Sequence, residues 1–173
     1  MTRLLPWRHR PGRDGRAHSR TDYAGAVYGS LLAASVIAAT GTVGKFPRLE
    51  TVVLLLVTGL VFWAAHVYAR LAGERSTGRS VDWSEVRRVG RSEWPIVEAA
   101  VLPAAAVGLS PLLGLGLSDT WWLALAVAVV QQVTWACLGA LHAGASHRQA
   151  AVESAVNLLF GLVIVAAKAA LGH

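Results

Sequence analysis

Four ionisable side chains lie within stretches of sequence that are otherwise apolar. They are His66, Glu98, Glu153 and Lys168. An ionisable group inside a hydrocarbon layer costs about 2.5–3.5 kcal/mol on insertion scales, so it usually faces the protein interior and often belongs to a proton or ion pathway. Each of the four is therefore a candidate site residue, although Lys168, near the end of its stretch, is also able to extend its stem to lipid headgroups.

Helical spacing places further polar residues on the same faces as these candidates. The recurring positions of the last apolar stretch are Glu153, Asn157, Gly161, Ile164 and Lys168. In the preceding stretch, Gln131 and His142 share a face by the same arithmetic. Polar groups aligned in this way are expected to face other helices, where Gln131 and Gln132 would form interhelical hydrogen bonds.

A common depth in the membrane unites several of these groups. Counting about 1.5 Å per residue from the inner helix ends places His66 about 9 Å deep, Glu98 about 6 Å and Asn157 about 10 Å. The sequence predicts a buried titratable cluster that contains His66, Glu98, Asn157, Glu153, Tyr28 and His142. A carboxylate favours protonated histidine whereas burial opposes it, which leaves a group that can change charge near neutral pH. The alternative is a structural hydrogen bond between helices.

The elements that must position these residues are predicted to be membrane-spanning helices. Hydrophobic residues make up 54% of the 173 residues. Five runs approach the roughly 20 residues that a helix needs to cross about 30 Å of hydrocarbon, where backbone groups can be satisfied only by helical hydrogen bonds. The runs are 23–41, 51–72, 94–115, 120–143 and 150–171. The predicted fold class is an all-α polytopic transmembrane bundle of about five spans, occupying residues 23–173.

The distribution of basic residues predicts the orientation of this bundle. Thirteen basic residues fall in the amino-terminal tail, at the end of the second run and in the connection that follows it, and after the fourth run, against Lys45 and Arg48 in the other connections. Cytoplasmic loops retain Lys and Arg, so the amino terminus is predicted in the cytoplasm and His173 outside the cell membrane. Five spans are the only number that keeps the three basic segments on one side.

Two basic segments are predicted to lie at the cytoplasmic surface. The tail, 1–22, carries six arginines without an apolar period and is expected to be disordered and to bind anionic lipid headgroups. Segment 80–91 is expected to form an amphipathic helix along the membrane, capped by Asp82. Nucleic acid is not expected as a partner, because the positive charges flank apolar runs.

Several other residues are expected to serve packing or anchoring. Small residues at four-residue spacing form a packing seam, within the chain or between subunits, and these are Gly25, Gly29 and Ala33. Pro103 is predicted to kink the third span and to act as a hinge. The tryptophans expected at the headgroup layers are Trp94, Trp121 and Trp122.

Motifs for enzymatic chemistry are not found in the sequence. It contains no phosphate-binding loop, no HExxH and no GxSxG, and its carboxylates are not paired as Mg²⁺ sites require. Cys137 is the only cysteine, which excludes an intramolecular disulfide and a thiolate metal cluster. No cofactor and no metal are predicted, and an enzyme is disfavoured.

Four segments resemble those of small integral membrane proteins of actinobacteria to which no activity is assigned. The segments are VYGS (27–30), FWAAHVYARLAG (62–73), SEWPIVEAA (92–100) and NLLFGLVIVAAKAALGH (157–173). The resemblance covers most of the membrane region and implies the same five-helix organisation, without an activity that could be transferred.

Three classes of function remain open from the sequence. A channel or proton-coupled transporter with His66 and Glu98 at its polar centre is favoured, and a homo-oligomer is expected because few helices enclose a pathway alone. The second class is an accessory or scaffold subunit that binds anionic lipid or a cytoplasmic partner. A membrane-embedded enzyme is the third.

Overall fold

The computed structural model describes residues 14–40, 45–76 and 82–171, and all regular structure within these ranges is helical. The prediction of an all-α fold is therefore confirmed. The helices are α1 (Asp14–Ala39), α2 (Pro47–Ser76), α3 (Trp83–Ser92), α4 (Pro95–Leu109), α5 (Leu117–His142) and α6 (His147–Leu171), and a 3₁₀ turn, Ser110–Leu113, follows α4.

Two helix boundaries differ most from those predicted. Helix α1 begins at Asp14 and not at Tyr23, so part of the predicted disordered tail is helical, while residues 1–13 lie outside the described ranges. An existing helix extends at little cost because each added residue gains a hydrogen bond after nucleation. Helix α4 ends at Leu109, where a 3₁₀ turn that includes Pro111 leads to Gly114 in the left-handed region (φ 67°).

The five long helices alternate in direction, which gives the bundle two distinct ends. At one end, the first turns of α1 meet the last of α5, with Tyr23 Oη 3.3 Å from His142 Nδ1. At the other, Arg48 at the start of α2 donates to Leu115 O beyond α4 (2.6 Å). We call the Tyr23 end the arginine-rich end, because α3 and the adjoining ends of α2 and α6 carry Arg70, Arg87, Arg88, Arg91 and Arg148.

The centre of the bundle is packed with small residues, whereas its outside is apolar. Ala34, Ile37, Ala124 and Ala128 are fully buried in the core. Large apolar side chains are exposed on α2, α4 and α6. Four helical segments are long and apolar enough to cross a membrane, and Tyr23–Ala39 is a shorter apolar segment; the four are Pro47–Glu74, Pro95–Leu113, Leu117–His142 and His147–Ala170. Exposed apolar faces of this extent suit contact with lipid.

The seam of small residues on α1 packs against α4 of the same chain. A Cβ added at Gly29 would lie 2.6 Å from Ile96 O, whereas one added at Gly25 would lie 3.5 Å from Ile96 Cγ1. Ala33, one turn further on, is buried in the core. Pro103 is buried inside α4, which continues through it, and its use as a hinge stays a prediction.

The predicted tryptophan anchors have different environments. Trp122 and Trp94 are exposed, and Trp94 packs edge-on against Trp63 with ring centroids 5.6 Å apart. Trp121 is only 1% exposed and belongs to the core. Trp121, which was predicted as a headgroup anchor, therefore packs in the core, because Trp121, Leu125 and Ala128 share the inward face of α5.

Helix α3 has the amphipathic character that the sequence predicted. Asp82 Oδ1 caps its first turn and accepts from Glu85 N (2.9 Å) and Ser84 Oγ (2.7 Å). Val89 is fully buried, and Trp63 Nε1 donates to Gly90 O (2.8 Å), which attaches α3 to α2. Trp83 does not share this inward face, since its side chain is 73% exposed.

The first turn of α3 is expected to lose stability in acid. Hydrogen bonds from Ser84 and from the Glu85 amide lower the pKa of Asp82 below the ordinary range of an aspartate. A carboxyl group whose pKa is lower in the folded state than in the unfolded state stabilises the folded state fully above its unfolded-state pKa. This stabilisation is lost as the pH falls through the folded-state pKa. As the pH falls from about 5 to about 2, the amide hydrogens of Val86 and Val89 should therefore exchange faster than the intrinsic pH dependence of amide exchange predicts.

The control for this prediction is Asp82→Asn, which keeps a capping oxygen but does not titrate. It should reduce the acid-induced acceleration to the part that comes from Glu85, whose pKa is lowered by its hydrogen bond with Arg88. Equal acceleration in the wild type and in Asp82→Asn would contradict the prediction.

Candidate functional site

The predicted titratable cluster is divided among three places in the structure. His66 on α2 lies beside Tyr28 of α1, with ring centroids 4.9 Å apart, and its Nδ1 donates to Phe62 O in its own helix (3.0 Å). This pair packs two helices together. It lies apart from Glu153, Asn157 and His142, which are found near a cavity between α1, α5 and α6.

Glu98 is on the outside of α4 and does not pair with His66 in the described part of the chain. The inward face of α4 contains Ile96, Ala99 and Ala100, whereas Glu98 is exposed on the same side as Leu102. The two residues were predicted to meet because they lie at similar depths along the membrane normal. Depth does not fix the direction in which a helical residue points, and the rotation of α4 separates the two side chains.

A cavity lies at the arginine-rich end of the described structure, between α1, α5 and α6. Its volume is about 620 Å³, and small residues of α5 and the α5–α6 turn form much of its wall. The side chains with polar or aromatic groups that line it are Tyr23, Trp135, Gln149, Glu153 and Asn157. The cavity reaches the α5–α6 turn, where Gly144 and Gln149 are exposed.

Close packing of α1 on α5 positions the aromatic wall of this cavity. A Cβ at Gly139 would lie 2.8 Å from Tyr23 Cβ, so only glycine at 139 lets Tyr23 approach this closely. The Tyr23 ring lies 5.9 Å from the Trp135 ring and stacks on His142 at 5.2 Å, between ring centroids. Sequence reasoning did not select Tyr23 or Trp135, because aromatic residues near helix ends are also typical of interfacial anchors.

A polar layer and an apolar contact close the inner end of the cavity. Gln132 Nε2 donates to Asn157 O (2.9 Å) and to Asn157 Oδ1 (3.2 Å), which joins α5 to α6. One turn further along α6, a Cβ at Gly161 would lie 2.6 Å from Val129 Cγ1. The cavity is therefore bounded on this side by tightly packed core.

The glutamines of α5 form the interhelical hydrogen bonds that the sequence predicted. Gln131 Nε2 donates to Ala99 O of α4 (3.2 Å) and Gln132 bonds to α6. Both side-chain oxygens, together with the indole N–H of Trp135, are buried without a partner in the described structure. An unpaired buried polar group costs about 1–3 kcal/mol. This part of α5 therefore carries a free-energy cost that an apolar core would not have.

Lys168 occupies a site that sequence reasoning did not predict. Its side chain is 1% exposed, and Nζ donates to Ile37 O (3.1 Å), Ala38 O (3.4 Å) and Thr40 O (3.4 Å). The prediction that its stem reaches the headgroups is therefore wrong. Carbonyl groups at a helix end have no intrahelical donor and attract a cation, and α1 ends within reach of α6.

A half-buried ion pair, which was not predicted from the sequence, fixes the arginine-rich end. Arg70 Nη1 donates to Glu93 Oε1, and the Glu93 side chain is only 6% exposed. Glu93 ends α3 directly before α4, so the pair ties α2 to the corner between α3 and α4. The signal in the sequence was the position of both residues at the edges of predicted spans, with Arg70 near the end of 51–72 and Glu93 directly before 94–115.

Replacing Glu93 with glutamine is expected to lower the free energy of unfolding by about 1–3 kcal/mol, because Arg70 then keeps a neutral acceptor in place of a carboxylate. Arg70 is partly exposed, so solvent limits the loss. Denaturation in detergent micelles measures the effect. Glu85→Gln, which weakens the more exposed pair with Arg88, is the control and should cost much less. Equal losses would contradict the prediction.

The fold and the site together define a class of protein. The described residues contain no group of three or more His, Cys, Asp or Glu side chains that could hold a metal ion. The apolar helices suggest an integral membrane protein with a cavity between three helices at one end. No protein-family model matches the chain, and no curated protein or solved structure shows significant similarity to it. The resemblance to actinobacterial membrane proteins thus stays a prediction.

Proposed function

We propose that this protein is a multi-pass carrier that binds a small solute in the cavity between α1, α5 and α6. The proposal includes five spans in the cell membrane, with the arginine-rich end in the cytoplasm, since cytoplasmic segments retain basic residues. The observation that carries the proposal is the cavity itself, which combines a volume of about 620 Å³ with a carboxylate, two amides and two aromatic rings. Ligand sites are typically concave, with a few convergent polar groups among apolar ones.

The closed inner end of the cavity favours a carrier over a permanently open channel. A channel needs a continuous path, whereas here the contact of Gly161 with Val129 separates the cavity from the opposite end. Carriers expose one site alternately to the two sides by moving helices against each other. The unpaired buried groups of Gln131, Gln132 and Trp135 support such movement, because fewer hydrogen bonds have to break there when α5 moves against its neighbours.

The test is solute uptake by proteoliposomes incubated in a bacterial metabolite extract, with the lumen analysed by mass spectrometry. The variant is Ala24→Phe, which places a ring in the cavity, since Ala24 lines it and is exposed. Ala64→Phe is the matched control, because Ala64 is exposed on α2 and does not line the cavity. We expect at least one small solute to accumulate with the wild type and the control and not with Ala24→Phe. Contents equal to those of protein-free liposomes would contradict the proposal.

A second candidate function is an accessory subunit whose surface helix binds anionic lipid. Helix α3 exposes Trp83, Arg87 and Arg91, and a surface pocket is lined by Ser84, Arg87, Arg88 and Arg91. Arginine pairs with phosphate by charge-assisted hydrogen bonds, and tryptophan prefers the headgroup region. These observations support binding of an anionic phospholipid headgroup at α3. Of the tail that was predicted to bind the same lipids, residues 1–13 lie outside the described ranges and residues 14–22 belong to α1.

Lipid retention distinguishes this second function from the first. Detergent-purified protein is mixed with phosphatidylglycerol and phosphatidylcholine, and bound lipid is counted by native mass spectrometry. The double variant Arg87→Gln/Arg91→Gln should lose the preference for phosphatidylglycerol, whereas Arg148→Gln, on α6 at the same end, should keep it. A preference that survives the double variant would contradict the assignment to α3. The same spectra measure the subunit number, for which a homo-oligomer stays a prediction.

A further inference from the structure

The composition of the cavity wall indicates the class of solute, if the proposed carrier function holds. We propose that the cavity binds an organic cation, such as an alkylammonium or guanidinium compound, between the rings of Tyr23 and Trp135 and the carboxylate of Glu153. All three side chains line the same cavity. The inference rests on the proposed function and adds the charge and chemistry of the ligand.

Tyr23 and Trp135 both line the cavity, and the Tyr23 ring also stacks on His142. The Tyr23 and Trp135 rings are 5.9 Å apart and tilted by 53°, so they form a corner and are not stacked on each other. A cation within about 6 Å of such ring faces is attracted by their negative quadrupoles, and tryptophan is the strongest of the aromatic residues in this respect. Aromatic corners of this kind accommodate alkylated ammonium groups, whose weak hydration lowers the cost of entry.

The charge of the wall has the sign that a cation requires. Glu153 carries the one carboxylate among the described lining residues, and neither lysine nor arginine lines the cavity. Arg148 borders a neighbouring surface pocket together with Glu153, but the two form no ion pair in the described structure. The Glu153 carboxylate is therefore not neutralised by a fixed positive partner and is able to pair with a charged ligand.

The size of the cavity fits a compact solute with apolar substituents. At about 620 Å³ it exceeds a single inorganic ion and falls in the range of small-molecule sites. Small side chains, among them Ala136 and Ala140, provide the remaining wall and would contact methyl or methylene groups. The wall offers a metal ion one carboxylate, and the amide oxygens of Asn157 and Gln149 already accept hydrogen bonds from Gln132 and Ser146. This favours an organic cation over an inorganic one.

The experiment compares a cation with a neutral molecule of the same shape. Binding of choline and of 3,3-dimethylbutan-1-ol, in which carbon replaces the nitrogen, is measured by calorimetry on the protein in lipid nanodiscs. Benzyltrimethylammonium and agmatine are tested in parallel, because the ring spacing alone does not select among cations. We expect at least one of the three cations to bind. If choline binds, its affinity should be at least tenfold higher than that of its neutral isostere.

Two variants in the cavity wall and one control outside it test whether the cations bind in the cavity. Glu153→Gln should reduce cation affinity about tenfold and leave the affinity for the neutral isostere unchanged. Asp119→Asn removes a carboxylate at the opposite end of the bundle and should change neither affinity. Tyr23→Leu should weaken the cation and spare the isostere, because the leucine keeps an apolar surface without a ring.

The possible failures separate this inference from the proposed function. If none of the three cations binds, or if Glu153→Gln binds them as the wild type does, the organic-cation inference is overturned. If the metabolite uptake assay still shows a solute that Ala24→Phe excludes, the carrier function stands without it. If that assay also gives protein-free contents, both fail.

Discussion

Lys168→Met is expected to lower the free energy of unfolding by about 2–4 kcal/mol, because a buried cation that bonds to three carbonyl oxygens is replaced by an apolar side chain of similar length. The three acceptors at the end of α1 would remain in place without their donor. Buried carbonyl groups that lose a donor carry the full cost of their desolvation. The change is measured by chemical unfolding in mixed detergent micelles.

The matched control for this result is Lys45→Met, since Lys45 is exposed near the same end of the bundle. It removes one positive charge without removing a buried contact, so its effect should be within about 0.5 kcal/mol. Lys168→Arg should fall between the two, because the guanidinium keeps the charge but presents its donors in a wider plane. If Lys168→Met is as stable as Lys45→Met, the cost of burying the ammonium group equals the gain from its hydrogen bonds.

Gly29→Ala is expected to destabilise the bundle by about 1–3 kcal/mol through overpacking of α1 against α4. Its Cβ would lie 2.6 Å from Ile96 O and 2.8 Å from Ala99 Cβ, and a backbone oxygen cannot move without shifting α4. Alanine is favoured over glycine in a helix by about 1 kcal/mol. The steric cost is therefore larger than the measured loss of stability by about this amount. Thermal unfolding in detergent gives the sign and the size.

Gly25→Ala provides the control on the same helix and the same seam. Its Cβ would meet Ile96 Cγ1 at an ordinary contact distance of 3.5 Å. The substitution should therefore be neutral or stabilise by up to about 1 kcal/mol. Similar losses at positions 25 and 29 would show that the helices do not approach most closely at Gly29.

The sequence predicted which residues could belong to the candidate site, but it did not predict the contacts between them. Depth counted along the helices grouped His66, Glu98 and Asn157, and the structure distributes them over separate surfaces. His66 packs against Tyr28, Glu98 is exposed, and Asn157 bonds to Gln132. Periodicity defines the polar face of each helix, but it does not define which neighbour that face meets. That choice depends on helix rotation, which the packing of small residues decides.

The sequence by itself determined the helical class, the apolar segments and the clustering of arginines along the chain, because these follow from local composition and from the period of the helix. Only the tertiary structure decided that Lys168 closes the end of α1, that Glu93 pairs with Arg70, and that Tyr23 and Glu153 border one cavity. Each of these contacts joins residues of different helices. Their formation depends on the order, tilt and rotation of whole helices, which are set by the sum of many weak packing contacts and leave no short pattern in the sequence.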